Sequence, residues 1–214
     1  MKYKPLANSY DELSVELWQE VQEILKDKET DAIDKNVQLV GLLYDIPDEA
    51  AYELPLDQFS DMLDGIGWLT KDPVVPHAAP GYEINGNKYI VNLNPSKITT
   101  AQYIDFRSVN TDVPKNLHLI LACIMVPYGH EYNDGYDMEQ VQKDIRTGMR
   151  MTHALALVRF FFQQYIRLTT NSLSSLKRIL RKEMKKEKDQ EKKSKIEQQI
   201  KKTEELELMI GSLV

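Results

Sequence analysis

Four histidines and one cysteine are the residues of this chain best suited to acid-base, metal or nucleophilic chemistry. The histidines are His77, His118, His130 and His153, and none has a second ligand at a spacing typical of a metal site. His130-Glu131 begins like a zinc-protease motif, but aspartate stands where that motif requires its second histidine. The histidines therefore indicate no metal site, and we expect His118 to be a core histidine of an apolar helix.

Cys123 is the single cysteine, which excludes an internal disulfide and any zinc site built from several cysteines. It lies within the apolar run LILACIMV, and such surroundings raise the pKa of a thiol, so we expect Cys123 to be unreactive. The sequence contains no GxSxG nucleophile motif, no P-loop and no GxGxxG motif. We therefore expect no enzyme activity, no catalytic residue and no cofactor.

The stretch from Tyr82 to Phe106 carries the strongest strand signal, and we expect the rest of the chain to pack around it. Asn85-Gly86 suits the two positive φ angles of a type I′ turn, which would join two short antiparallel strands. One face of this hairpin is then apolar, and its residues are Tyr82, Ile84, Tyr89, Val91 and Leu93. Because two strands alone are marginally stable in water, this face must pack on helices.

Hydrophobic periodicity predicts those helices on both sides of the hairpin. The shorter ones are expected at residues 9–26, 30–46, 55–65, 100–106, 112–127 and 137–148, with Thr111 or Asp112 at the start of the fifth and Asp137 as the cap of the sixth. From Thr152 the apolar period continues as far as Met184, which predicts one helix of over about 30 residues. The fold class is therefore mainly α with one small β-hairpin.

The expected organisation is a pair of helical lobes followed by a long charged C-terminal helix. Residues 1–70 form the N-terminal helical lobe, residues 71–81 a proline-rich connector, residues 82–168 the hairpin plus a helical core lobe, and residues 169–214 a long basic C-terminal helix or extension. Between Met184 and Ile196 no apolar residue occurs, so we expect this last helix to project from the body. Folding back of its apolar end is the alternative.

Charge divides the chain unevenly. The formal net charge is −6, yet residues 177–202 contain 12 Lys or Arg against 5 Asp or Glu, which leaves +7 there and −13 elsewhere. The candidate polyanion-binding residues are Lys182, Lys185, Lys186, Lys192 and Lys193. Acid-first pairs such as Asp189 with Lys193 favour a solvated helix instead, so nucleic acid is not the expected partner.

Two apolar groups are candidates for binding another protein. The first is the aromatic stripe of the long helix, with Phe160, Phe161 and Tyr165, although such a stripe is more often part of a core. The second is the apolar end of the chain, with Leu206, Met209, Ile210 and Leu213. No apolar segment is long enough to span a membrane, and the N-terminus lacks the apolar region of a secretory signal, so we expect a cytoplasmic protein without a membrane partner.

Several segments together suggest a family. They are VQLVGLLYDIPDEAAYELPLDQFSDML, INGNKYIVNLNPSKITTAQYIDF, NLHLILACIMVPYGHEYNDGYDMEQVQKDI and ALALVRFFFQQYI. In this order they resemble the tail assembly chaperones of tailed bacteriophages, particularly those of phages that infect gut Bacteroidales. The resemblance covers most of residues 30–168.

The resemblance implies a non-enzymatic role in the host cytoplasm. Such a chaperone holds the long tape measure protein soluble while tail tube subunits polymerise around it. The implied partners are tape measure-like or tail tube-like chains, with self-association as a further possibility. Two alternatives stay open: a structural virion protein of the head, neck or tail, and a nucleic-acid-binding protein that uses the basic C-terminal helix.

Overall fold

Helices make up most of the structure, so the prediction of a mainly α fold is confirmed. The computed structural model describes residues 3–94, 97–109, 112–187 and 189–211, and the side chains in these ranges except those of residues 165, 166, 168, 169 and 205–211. The helices are α1 (Val15–Lys26), α2 (Ala32–Tyr44), α3 (Asp48–Tyr52), α4 (Leu56–Gly65), α5 (Thr100–Val109), α6 (Val113–Ala122), α7 (Met138–Gly148), α8 (Met151–Lys186) and α9 (Gln190–Gly211), and a short 3-10 helix covers Gly67–Thr70. The strands are β1 (Gly81–Ile84), β2 (Asn87–Val91) and β3 (Met125–Pro127).

The predicted hairpin forms with the expected register. β1 and β2 pair antiparallel with Glu83 opposite Lys88, and the turn residues Asn85 and Gly86 have φ values of 51° and 80°. Both angles are positive, as a type I′ turn requires. Ile84, Tyr89 and Val91 are buried on the predicted apolar face.

A third strand, which the sequence analysis did not predict, completes the sheet. β3 pairs antiparallel with β2, and the strand order is β1-β2-β3. The preceding helix was expected to reach residue 127, but α6 ends at Ala122. Periodicity cannot separate a short buried strand from a buried helix segment, and Ile124 to Val126 are all buried. Residues 125–127 form a strand because the edge of β2 that faces away from β1 offers backbone groups for pairing.

Helix starts follow local capping, with some shifts from prediction. Asp112 and Asp137 cap α6 and α7 with their carboxylates, as expected. α1 begins after Ser14, whose hydroxyl accepts a hydrogen bond from the backbone N–H of Leu17, rather than after Ser9. α3 was not predicted; it starts directly after Pro47.

The first compact unit covers Met1–Val158 and includes helices from both sides of the proline-rich connector. α1 contacts α6 and α7 as well as α2, so residues 71–81 do not separate two compact lobes. The core of this unit is aliphatic and includes Leu13, Leu43, Leu117, Ile120, Leu121 and Ile145, all fully buried. Burial of each such side chain contributes about 1.5–3 kcal/mol to folding. This shared core therefore holds together the helices on both sides of the connector.

A short extended segment joins α7 to α8. The backbone N–H of Val15 donates to the carbonyl of Met149 at 3.1 Å, and the N–H of Met151 donates to the carbonyl of Leu13 at 2.7 Å. These two bonds form an antiparallel bridge between Ser14 and Arg150. The start of α8 is thereby fixed beside the start of α1.

The second compact unit covers Arg159–Val214. The long helix predicted from Thr152 is confirmed as α8, which has 36 residues, but residues 169–211 contain parts of two helices and not a single one. α8 ends at Lys186 and α9 begins at Gln190, where the Asp189 carboxylate accepts hydrogen bonds from the backbone N–H groups of Glu191 and Lys192. Aspartate favours such a cap over a helix interior, so the chain breaks here. α9 then returns along α8, as the ion pair between Arg181 and Glu204 at 3.0 Å shows.

Candidate functional site

The aromatic residues predicted to bind protein lie on α8. The rings of Phe160 and Phe161 meet edge to face, with centroids 5.3 Å apart and an interplanar angle of 85°. Phe161 is only 6% exposed, so little of its surface is available to a partner, whereas Phe160 is half-buried. The side chain of Tyr165 lies outside the described residues.

The terminal apolar candidates stay predictions. Leu206, Met209 and Ile210 belong to α9, but their side chains are outside the described part of the chain. Leu213 lies outside the described residues altogether. Further from the end, Leu180 on α8 and Ile200 on α9 are buried.

One side of α8 carries a row of cations that we call the basic stripe. Its residues line a shallow groove of 300 Å³ together with Ser174, and they are Lys177, Arg178, Arg181, Lys182 and Lys185. Their spacing of three or four residues places them on one side of the helix. Of the predicted polyanion-binding residues, Lys182 and Lys185 belong to this stripe, Lys186 is exposed on the same helix, and Lys192 and Lys193 lie on α9.

Arg178 and Arg181 of the basic stripe were counted in the charge of residues 177–202 but were not among the candidate polyanion-binding residues, which were all lysines. Arg181 lines the groove on α8, and its guanidinium also forms the ion pair with Glu204 of α9. Reading residues 174–185 at a helical period would have found the set.

A pair of apolar side chains is exposed on another side of α8. Leu176 is 45% exposed and Ile179 is 51% exposed, and a spacing of three residues places them next to each other. Both belong to the apolar period that runs from Thr152 to Met184. Leu180 of the same period is buried, whereas Leu176 and Ile179, which we call the exposed pair, are not.

Exposed apolar residues also occur in the first unit. Ile33, Tyr52 and Leu56 are exposed where α2, α3 and α4 begin or end. The hydroxyl of Tyr52 donates to the Asp34 carboxylate at 2.6 Å, which fixes the ring beside α2. This hydrogen bond to a negative group raises the pKa of Tyr52 to about 12.

Two of the four histidines meet in a cleft that sequence spacing did not indicate. The cleft has a volume of 450 Å³, and it lies between residues 76–79, β1 and residues 148–153. We call it the β1 cleft; His77, Tyr82, Glu83, Arg150 and His153 all line it. The rings of Tyr82 and His153 lie 5.4 Å apart, and the Tyr82 hydroxyl accepts a hydrogen bond from the backbone N–H of Ala79 at 2.9 Å.

The other two histidines lie apart from this cleft. His118 is half-buried on α6, its Nδ1 atom has no hydrogen-bond partner among the described residues, and burial, then the nearby Arg146, lowers its pKa. It is therefore neutral at physiological pH. His130 is exposed, with Nδ1 4.0 Å from the Asp134 carboxylate and its ring centroid 5.9 Å from that of Tyr136.

Cys123 lies in the core directly after α6. Burial raises the pKa of its thiol to about 11, Asp105 adds to this rise, and a hydrogen bond with Tyr132 opposes it. At neutral pH the thiol is protonated, and a protonated thiol is a poor nucleophile. Its neighbours are themselves paired, since the Tyr132 hydroxyl donates to the Asp105 carboxylate at 2.8 Å.

The described residues contain no group of three or more His, Cys, Asp or Glu side chains that could hold a metal ion. None of the helices in the described ranges has both the length and the apolar composition needed to cross a membrane. No family model, curated protein or solved structure matches this chain. Three surface features of the described residues are candidate binding surfaces: the exposed pair and the basic stripe on α8, and the β1 cleft in the first unit.

Proposed function

We propose that this protein is a non-enzymatic assembly chaperone of a tailed bacteriophage, which binds a tape measure-like or tail tube-like chain in the host cytoplasm. The resemblance of residues 30–168 to that family supports the biological role. The observation that carries a protein-binding role is the exposed pair on α8, Leu176 and Ile179.

The exposed pair has the character of a docking surface. Two neighbouring aliphatic side chains on a helix match the apolar ridge of a partner helix, as in recognition of a helix by a groove. When a partner covers the exposed surface of these two side chains, each Å² of buried apolar area contributes about 25 cal/mol to the free energy of binding. A long helical chain with a repeated apolar ridge is therefore a suitable partner.

Charge favours an acidic partner segment at the second unit. Residues 159–214 contain 14 Lys or Arg against 8 Asp or Glu, a net charge of +6, while residues 1–158 contain 13 against 25, a net charge of −12. The basic stripe runs along the same helix as the exposed pair. Complementary charge raises the association rate and selects among partners, while the apolar contact supplies the affinity.

The test is co-expression of the intact chain with candidate tape measure and tail tube proteins, followed by affinity capture and mass spectrometry at low and high salt. The variant carries Leu176→Asp and Ile179→Asp. The control carries Asn171→Asp and Ser175→Asp, which add the same two charges at exposed positions of the same helix. We expect the variant to lose the partner at both salt concentrations and the control to retain it.

Equal capture by the variant and the control would exclude the exposed pair as the binding surface. Mass spectrometry of purified particles separates the chaperone from a structural virion protein. A structural component is present at stoichiometric copy number, whereas a chaperone is missing from the particle. Self-association is measured on the same samples by analytical ultracentrifugation.

The basic stripe favours a second candidate function, which is binding of nucleic acid. Its cations follow one side of α8, as contacts to a phosphate backbone require. Replacing Arg178, Lys182 and Lys185 with alanine should then weaken binding to DNA and reduce the salt slope by about one for each lost phosphate contact. The control replaces three exposed lysines of the first unit, Lys28, Lys97 and Lys143. Equal DNA binding by the two variants would exclude the stripe.

A further inference from the structure

β1 is an edge strand with hydrogen-bonding groups that face away from the sheet. It pairs with β2 alone, and the two-residue turn makes Ile84 and Asn87 the first hydrogen-bonded pair. Pairs alternate along an antiparallel ladder, and the bond from the Val91 N–H to the Pro80 carbonyl, at 2.9 Å, keeps this alternation. The N–H and C=O groups of Gly81 and Glu83 therefore point away from β2.

These outward groups line the β1 cleft. Gly81 and Glu83 both belong to its lining, and among the described residues no backbone hydrogen bond reaches them from the outer side. An unpaired strand edge is a template for another strand. Here the template is in a recess of 450 Å³ and not on an open surface.

The backbone at residues 149–150, on the side of the cleft opposite β1, is extended as well. Met149 has φ −80° and ψ 129°, and the bridge from Ser14 to Arg150 occupies the other side of this segment. In such a bridge the N–H of Arg150 points away from Ser14. One extended chain pairs with a strand edge at a spacing of about 4.8 Å.

Charge in the cleft favours an acidic occupant. Arg150 carries a positive charge, and the ring N–H groups of His77 and His153 can donate hydrogen bonds to a carboxylate. The negative Glu83 lies opposite Lys88 on the neighbouring strand. Arg150 also contacts the Asp11 carboxylate at 3.3 Å, but both side chains are more than half exposed, so that pair is weak. Arg150 can therefore turn toward a second carboxylate.

We propose that the β1 cleft binds an extended, acidic peptide segment of a partner protein, which adds to β1 as a fourth strand. The peptide backbone pairs with the N–H and C=O groups of Gly81 and Glu83. One acidic side chain of the peptide lies against His77, Arg150 and His153, and a residue on the other face of the peptide packs on Tyr82. This site is independent of the surface on α8 and of the proposed phage role.

The experiment selects ligands from a displayed library of random dodecapeptides on the intact chain. Recovered peptides are synthesised and measured by fluorescence anisotropy against the unmodified chain, Glu83→Ala and Glu83→Pro. Both variants lose the carboxylate, but only proline removes the outward N–H, and proline is tolerated where an edge N–H faces outward. We expect Glu83→Pro to weaken binding about tenfold more than Glu83→Ala, as loss of one hydrogen bond allows.

A second measurement does not depend on the variants folding. In the unmodified chain, a bound peptide should slow hydrogen exchange of the Gly81 and Glu83 amides, and a peptide with N-methyl groups on its pairing amides should not. Replacing the acidic residue of the peptide with lysine should weaken binding about tenfold. Failure to recover any peptide that protects these two amides, or equal binding of the N-methylated peptide, would overturn the proposal.

Discussion

The hydroxyl of Tyr89 donates a hydrogen bond to the carboxylate of Asp144 at 2.5 Å, which joins the central strand of the sheet to α7. The same carboxylate accepts hydrogen bonds from the side-chain amides of Asn85, Asn87 and Gln140. Asp144 is 2% exposed, so burial acts to raise its pKa, but these hydrogen bonds outweigh burial and lower it. A buried charge with several donors stabilises only the arrangement that supplies them all.

Replacing Asp144 with alanine should therefore destabilise the first unit strongly. Its donors are left without an acceptor, and we expect a loss of about 3 kcal/mol in the free energy of unfolding. Tyr89→Phe removes a single donor and should cost about 1 kcal/mol. Urea denaturation measures both, with Asp134→Ala in an exposed loop as the control. A cost of under about 0.5 kcal/mol for Asp144→Ala would contradict the role of this carboxylate.

The same carboxylate should make stability depend on acid pH. Its pKa is lower in the folded chain than in the unfolded chain, so its contribution is present above the unfolded value, which is about 3.9. That contribution is lost as pH falls through the lowered pKa. The thermal midpoint of the unmodified chain should therefore fall more steeply below about pH 4 than that of Asp144→Asn. Parallel curves for the two proteins would show that Asp144 does not titrate in this range.

Gly148 should not accept a side chain. A Cβ atom at this position would lie 2.7 Å from Cγ and 2.8 Å from Nδ2 of Asn85, whose amide is already bonded to Asp144 and Thr147. We expect Gly148→Ala to cost about 1–3 kcal/mol in chemical denaturation. The control is Gly67→Ala, where a Cβ would meet nothing within 4 Å. Similar stability of the two variants would show that Asn85 moves aside freely.

Two leucines one turn apart on α8 test whether α8 packs on α9 in the second unit. Leu180 is 7% exposed and Leu176 is 45% exposed, so only Leu180 should be needed for packing with α9. We expect Leu180→Ala to cost about 2 kcal/mol, because it leaves a cavity, and Leu176→Ala to cost about 0.5 kcal/mol or less. Hydrogen exchange of the α9 amides reports this difference directly. Equal exchange in the two variants would mean that α9 does not rely on this contact.

Cys123 should react slowly with thiol reagents. Its pKa of about 11 leaves little thiolate at neutral pH, and the residue is buried. We expect reaction with Ellman's reagent to be about 100-fold slower in the folded chain than in urea. Because the chain has one cysteine, the signal has one source. A rate that rises tenfold per pH unit between 7 and 8 without reaching a plateau agrees with this pKa, and a plateau in that range contradicts it.

Parts of the candidate surfaces could be found from sequence, and others could not. Lys182 and Lys185 stood out because charge density is visible in one dimension. The exposure of Leu176 was not predicted. A helical period shows which side of a helix is apolar, but it does not show how much of that side a neighbouring helix covers. His77 and His153 are far apart in the chain, and only the path of the backbone brings them to one cleft.

The sequence by itself determined the features that depend on neighbouring residues. The type I′ turn at Asn85-Gly86 follows from the permitted φ angles of two residues, and the caps at Asp112 and Asp137 follow from one side chain bonding to nearby N–H groups. The mainly α class follows from periodicity in the same way. Each of these preferences acts over a few residues, so a local pattern is enough to predict it.

Only the tertiary structure decided the features that depend on distant partners. β3 forms because β2 offers an unpaired edge, and α9 returns along α8, where Arg181 meets Glu204. Asp144 gains three of its four donors from a hairpin more than 50 residues earlier in the chain, as the separations of 55, 57 and 59 residues show. The free energy of such contacts depends on what the rest of the chain brings within reach, and no local pattern of residues carries that information.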